Sequence, residues 1–65
     1  MEVEFFNCLV LEDAVNGAIA AKAAGMRVFG VNADETIRRE LEKAGADEVY
    51  SSLKKLARKF STRRV

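Results

Sequence analysis

Residues 8–26, CLVLEDAVNGAIAAKAAGM, contain the transition that decides the fold. An apolar run ends abruptly in two adjacent carboxylates, Glu12 and Asp13. A turn follows, then a stretch rich in Ala and Gly with helical character. Carboxylates at the carboxyl end of a buried strand stand where open α/β sheets place their ligand sites. The stretch therefore reads as a strand, a turn that can bear a site, and a helix.

Working outward, the same alternation repeats. Residues 6–11 are the first strand. Val3 and Phe5 alternate with Glu2 and Glu4, which leaves an earlier start for this strand open. Asp13 or Ala14 opens the first helix, which runs to about Gly25, since glycine tolerates the left-handed backbone that follows a helix. Residues 27–31, RVFGV, are the second strand. Asp34 can cap a second helix, with Glu35 in its first turn. Ile37, Leu41 and Ala44 share one face of that helix, and Gly45 ends it. Residues 47–50 are a short third strand. Ser51 or Ser52 can cap a third helix, in which Leu53, Leu56, Ala57 and Phe60 form an apolar stripe. Residues 61–65 are polar and basic and are expected to fray.

In the first helix Gly17, Ala20, Ala21 and Ala24 share one side, while Val15, Ile19 and Lys22 share another. A lysine ammonium needs water or a partner. The small side is therefore expected to face the sheet, leaving Val15 and Ile19 at the flank.

A βαβαβα chain implies a parallel sheet with right-handed crossovers. The fold class is α/β: a Rossmann-like unit with a three-stranded parallel sheet in order 1-2-3 and three helices, either three-layered or half-covered. In that order both crossover helices fall on one sheet face. Parallel sheets normally bury both faces. The second face is then bare unless the third helix swings across it, and the first strand is an open edge. Bare faces and open edges promote association. A homo-oligomer, a homodimer in its simplest form, is expected through strand one or the uncovered face.

Composition sets further bounds. The 65 residues allow one small domain, 1–65, of a size that is marginal alone. Hydrophobic residues at 49% suffice for a core, which argues against disorder. A net charge of +1 gives no reason to expect nucleic acid or an anionic membrane as partner. Cys8 is the sole cysteine, so no disulfide forms within a chain, and a buried thiol suits a reducing, cytoplasmic setting. The absence of histidine removes the commonest general base. No run approaches the roughly 18 apolar residues of a membrane span. The acidic start at residues 1–4 lacks the basic opening of a signal peptide.

The segment LVLEDAVNGAIAAKAAGMRVFGV closely resembles the fourth motif region of the haloacid dehalogenase superfamily, in its β-phosphoglucomutase-like and phosphoglycolate-phosphatase-like members. These read as apolar strand, Glu-Asp-Ser, two variable residues, Gly, then Ala-Ala-Lys-Ala-Ala-Gly-Met and a second strand. The later GADEVYSSLKKL resembles their usual ending. The likeness covers Cys8 to about Leu56. It implies a Rossmann-like fold with magnesium at the strand ends, held by Glu12 and Asp13, with Asp13 the better candidate. Hard oxygen ligands suit that ion. Gly17 would allow close approach of helix to strand, and Ala14 departs from the usual serine. The resemblance also implies what is missing. The family's Asp-x-Asp nucleophile, its Ser/Thr and its Lys/Arg clamp precede the Glu-Asp motif, and residues 1–11 contain no aspartate.

These residues thus resemble the C-terminal portion of a phosphatase or phosphomutase, a partial core with no catalytic residue of its own and inactive alone. A split-enzyme subunit that becomes a magnesium-dependent phosphatase with a partner chain is the alternative. A small structural or interaction module without ligand is another. Glu12 and Asp13 are either weak or vestigial metal ligands or a cap for the first helix. No other cofactor-binding residue stands out. Lys22 reads as a solvated surface lysine. Arg58, Lys59, Arg63 and Arg64 read as a solvated tail. Phe5 and Phe6 serve either core or interface.

Overall fold

Apolar β-formers alternate with helical stretches along the chain, and the backbone follows them. The computed structural model describes residues 2–5 and 9–61, with side chains over 9–59. Its elements are β1 (Glu2–Phe5), β2 (Leu9–Glu12), α1 (Val15–Ala23), β3 (Arg27–Val31), α2 (Glu35–Lys43), β4 (Glu48–Tyr50) and α3 (Leu53–Ser61). Residues 6–8, where the first strand was expected to begin and where Cys8 and Phe6 lie, fall outside the described residues, as do residues 62–65 with Arg63 and Arg64.

β2, β3 and β4 form the expected parallel sheet in sequence order, with Val10 opposite Val28 and Gly30 opposite Val49. The three-stranded, three-helix α/β unit is therefore present. One strand is added to it. Residues 2–5 are not an earlier start of β2 but a separate strand, antiparallel to it, with Val3 opposite Leu11 and Phe5 opposite Leu9. The sheet order is β1-β2-β3-β4. The edge of β2 expected to stand open is thus paired by the chain's own first residues. A two-sided ladder satisfies backbone groups that would otherwise be exposed, and the alternation of Val3 and Phe5 was its signal.

The pleat sends successive side chains to opposite faces. On one face Val10, Val28, Ala18, Ala21 and Leu41 form a buried cluster under α1 and α2. On the other, Leu11, Phe29 and Val31 are buried together with Leu56 of α3. The face expected to be bare is therefore covered by the third helix. The short link at Ser51 and Ser52 suffices because Ser52 Oγ accepts the Lys55 N–H at 3.2 Å, starting the helix at once. Lys59 Nζ then donates to Glu48 Oε1 at 3.2 Å and lies 5.9 Å from the Tyr50 ring centre, fastening the helix along β4. The stripe expected on α3 is narrower than its spacing suggested. Leu56 is buried, whereas Leu53 is 49% exposed and Ala57 is exposed. The Phe60 side chain lies outside the described ones.

The sheet-facing side of α1 is also corrected. Ala18 and Ala21 are buried, while Ala20 and Ala24 are exposed. The helix is rotated toward its Lys22 side because Lys22 is not simply solvated. Its Nζ lies 3.1 Å from Asp47 Oδ2, and both side chains are about a third exposed. A partner for the ammonium removes the reason to turn that side to water. Ile19 remains at the flank, half exposed, as expected.

Asp47 ties three elements together at the amino end of the sheet. Its carboxylate accepts the Val28 N–H at 2.8 Å and the Lys22 ammonium, and its own N–H donates to Val28 O at 2.7 Å. The Val28 amide, then Lys22, hold the Asp47 carboxyl below its ordinary value. A depressed carboxyl contributes stability that is present above its unfolded value and lost as pH falls below about 4. Asp47→Asn is expected to lower the melting temperature at neutral pH and to flatten its fall on acidification. Melts by circular dichroism at neutral and acid pH check both.

The remaining boundaries follow expectation. Asp34 Oδ1 accepts the N–H groups of Thr36 at 2.8 Å and Ile37 at 3.3 Å, capping α2. Gly25 and Gly45 take φ of +82° and +103° after α1 and α2, where a side chain would be strained.

Candidate functional site

The carboxyl end of β2 carries the acids singled out in the sequence. Glu12 is the last residue of the strand, and Asp13 and Ala14 form the turn into α1. Glu12 is only 3% exposed. Its Oε2 accepts the Ala14 N–H at 3.0 Å. The carboxyl group fits against the first turn of α1 in the space that Gly17 leaves. A Cβ on Gly17 would stand 2.3 Å from Glu12 Cδ and 2.4 and 2.7 Å from its oxygens. Gly17 thus admits a side chain rather than a close backbone approach. The N-cap residue of α1 is Ala14, which offers no side-chain cap, and the first turn of the helix holds no acid. Glu12 supplies the negative charge that a helix start favours, reaching it from the strand.

Asp13 is half-buried at the turn. Its backbone carbonyl accepts from Asn32 Nδ2 at 2.9 Å. Asn32 follows β3, and its Oδ1 also accepts the Asp34 N–H at 2.9 Å. One amide side chain therefore links the turn after β2 to the turn after β3. Arg38 reinforces the second turn, donating from Nη1 to the carbonyls of Asn32 at 2.8 Å and Ala33 at 3.0 Å. The sequence places Asn32, Ala33 and Asp34 in the turn after β3 but does not show the link from Asn32 to the turn after β2 or the reach of Arg38. An Asn directly after an apolar strand is a recognisable turn former, but nothing in the spacing of Arg38 marked it as a reach-back donor.

The chemistry of this rim is that of hard oxygen donors. Glu12 has one oxygen committed to the turn, and the Asp13 carboxyl is also hydrogen-bonded, which holds it below its ordinary value. Among the described residues no three Asp, Glu, His or Cys side chains gather closely enough to hold a metal ion. A magnesium ion here would be held by Asp13, with Glu12 behind it and the remaining positions left to water or substrate. That donor set fits the ion in type and predicts weak binding. Lys22 lies with Asp47 at the amino end of the sheet, apart from this rim. A shallow depression beside α2, lined by Glu35, Arg38, Arg39, Glu42 and Val49, includes neither acid.

Compared with models of protein families, with characterised proteins and with solved structures, the chain matches none. Among the described residues no helix is long and apolar enough to cross a membrane.

Proposed function

We propose that these residues are the acid-bearing part of a phosphoryl-transfer fold of the haloacid dehalogenase type, without turnover of their own. The observation that carries this reading is the pairing of Glu12 with Gly17. A strand-end carboxylate seated in a glycine-sized gap at the start of the next helix leaves its neighbour, Asp13, at the sheet rim where such folds bind ligands. Phosphoryl transfer works by positioning and charge stabilisation around an acceptor. The described rim offers two acids and no cation directed at a phosphate. The chain would bind magnesium weakly, through Asp13 first, and catalyse nothing unaided.

Magnesium titration followed by NMR tests the acid pair. Shifts confined to residues 12–14, 17 and 32 are expected, saturating only at millimolar concentration or above, and Asp13→Asn should remove them. No shift at tens of millimolar would reduce Glu12 and Asp13 to a structural turn.

A further inference from the structure

We propose that Asn32 is a positioning residue for the rim: it holds the turn after β2 so that Asp13 meets a divalent cation on an already ordered backbone. The inference deepens the magnesium reading above and rests on it.

Four hydrogen bonds fix Asn32. Its N–H donates to Tyr50 O at 3.0 Å, and its carbonyl accepts from Arg38 Nη1 at 2.8 Å. These two tie its backbone to the end of β4 and to α2. Its Oδ1 accepts the Asp34 N–H at 2.9 Å, and its Nδ2 donates to Asp13 O at 2.9 Å. One residue thus joins the carboxyl ends of all three parallel strands, β2, β3 and β4. The amide can face only one way: the Asp34 N–H needs an oxygen, so the nitrogen meets the Asp13 carbonyl.

The turn after β3 does not need that last bond. Oδ1 and Arg38 already hold it, and Asp34 caps α2 with its own side chain. The Nδ2 bond acts instead on residue 13. The turn after β2 is held on its other side by Glu12, whose Oε2 accepts the Ala14 N–H. Asp13 is therefore fixed on both flanks, at its own carbonyl and at the next amide. The rotamers open to a side chain depend on the backbone beneath it. A ligand group ordered before binding loses less freedom when the ion arrives. Groups that orient a metal's ligands from behind raise its affinity about 10–100-fold. One acting through the backbone is expected near the lower value.

Magnesium titration of the full chain followed by NMR tests this. In the unsubstituted chain the Asn32 side-chain amide signals should shift on the same curve as the backbone amides of residues 13 and 14. Asn32→Ser keeps an oxygen for the Asp34 N–H and removes the donor to Asp13. It should weaken magnesium about tenfold while circular dichroism shows the fold kept. Asn32→Thr makes the same exchange with a residue better suited to a strand end, and should do likewise. Ser52→Ala removes the α3 cap and leaves Asp13 untouched. It should lower the melting temperature without moving the affinity. No magnesium shift in the unsubstituted chain would overturn both the reading above and this inference. Shifts at residues 12–14 with an unmoved Asn32 amide, or a folded Asn32→Ser or Asn32→Thr variant that binds magnesium as tightly as before, would overturn the positioning role and leave the magnesium reading standing. An equal loss of affinity in Ser52→Ala would trace the effect to general stability and overturn the role as well. Should neither Asn32 variant fold, the side-chain amide curve of the unsubstituted chain decides.

Discussion

Leu41→Ala is expected to remove a large share of the chain's stability. Leu41 is fully buried at the centre of the cluster beneath α1 and α2, with Val10, Val28, Ala18 and Ala21. It sits directly over β3, where a Cβ on Gly30 would come within 3.0 Å of its Cδ1. The glycine and the leucine are therefore complementary, and truncation leaves a hole that neither strand nor helix can close without moving backbone. Leu→Ala changes of this kind cost about 2–5 kcal/mol. A chain of this length has a total stability of only about 3–10 kcal/mol. Urea unfolding followed by circular dichroism checks the loss. Leu53→Ala, at a half-exposed position, is the control and should change stability by about 0.5 kcal/mol or less. Equal losses for the two would show that the core is not where the packing places it.

The second large effect belongs to Gly17. Helix propensity alone says that Gly17→Ala should stabilise α1 by about 1 kcal/mol. The position has no positive φ to forbid a side chain. The new methyl would nonetheless occupy the place of the Glu12 carboxyl group. Glu12 is buried, so its displaced charge loses the Ala14 N–H while water is still excluded. Leaving a buried charged group without its partner costs about 1–3 kcal/mol or more. Gly17→Ala is therefore expected to destabilise the chain, and the sign should reverse once Glu12 is replaced by Ala. A double-mutant cycle in urea measures that coupling. If Gly17→Ala stabilised the chain equally with and without Glu12, the carboxylate would not be seated under the helix.

Both positions show what the sequence discloses and what it withholds. The strand and helix alternation was legible because the apolar runs are short, separated by caps and glycines, and backed by helical spacing at Ile37, Leu41 and Ala44. Asp34, Gly25 and Gly45 mark their boundaries through local chemistry, which needs no partner from elsewhere in the chain. The added strand was half legible. Val3 and Phe5 alternate with acids as an exposed strand does, but alternation does not say whether a strand continues its neighbour or folds back upon it.

The rotation of α1 could not be read from that helix alone. It depends on Asp47, 25 residues further on, which gives Lys22 a partner. The cover of the second face was likewise hidden, because the contact between Lys59 and Glu48 is set by where α3 lands rather than by any periodicity. At the site, Glu12 and Asp13 stood out at once as a strand-end pair. Their different roles did not: one is buried in a turn, the other set at the rim, and only the gap at Gly17 separates them. Asn32 was legible as a turn residue after β3; its hydrogen bond to the Asp13 carbonyl, which joins turns 19 residues apart, was not.

An acid-bearing rim without a phosphoryl acceptor is expected to do no chemistry of its own. Hydrolysis of a simple phosphate monoester by the purified chain, in millimolar magnesium, tests it most directly. The expected rate is indistinguishable from that of buffer with magnesium and unchanged by Asp13→Ala. A turnover clearly above that background, lost on Asp13→Ala while the fold is kept, would contradict it.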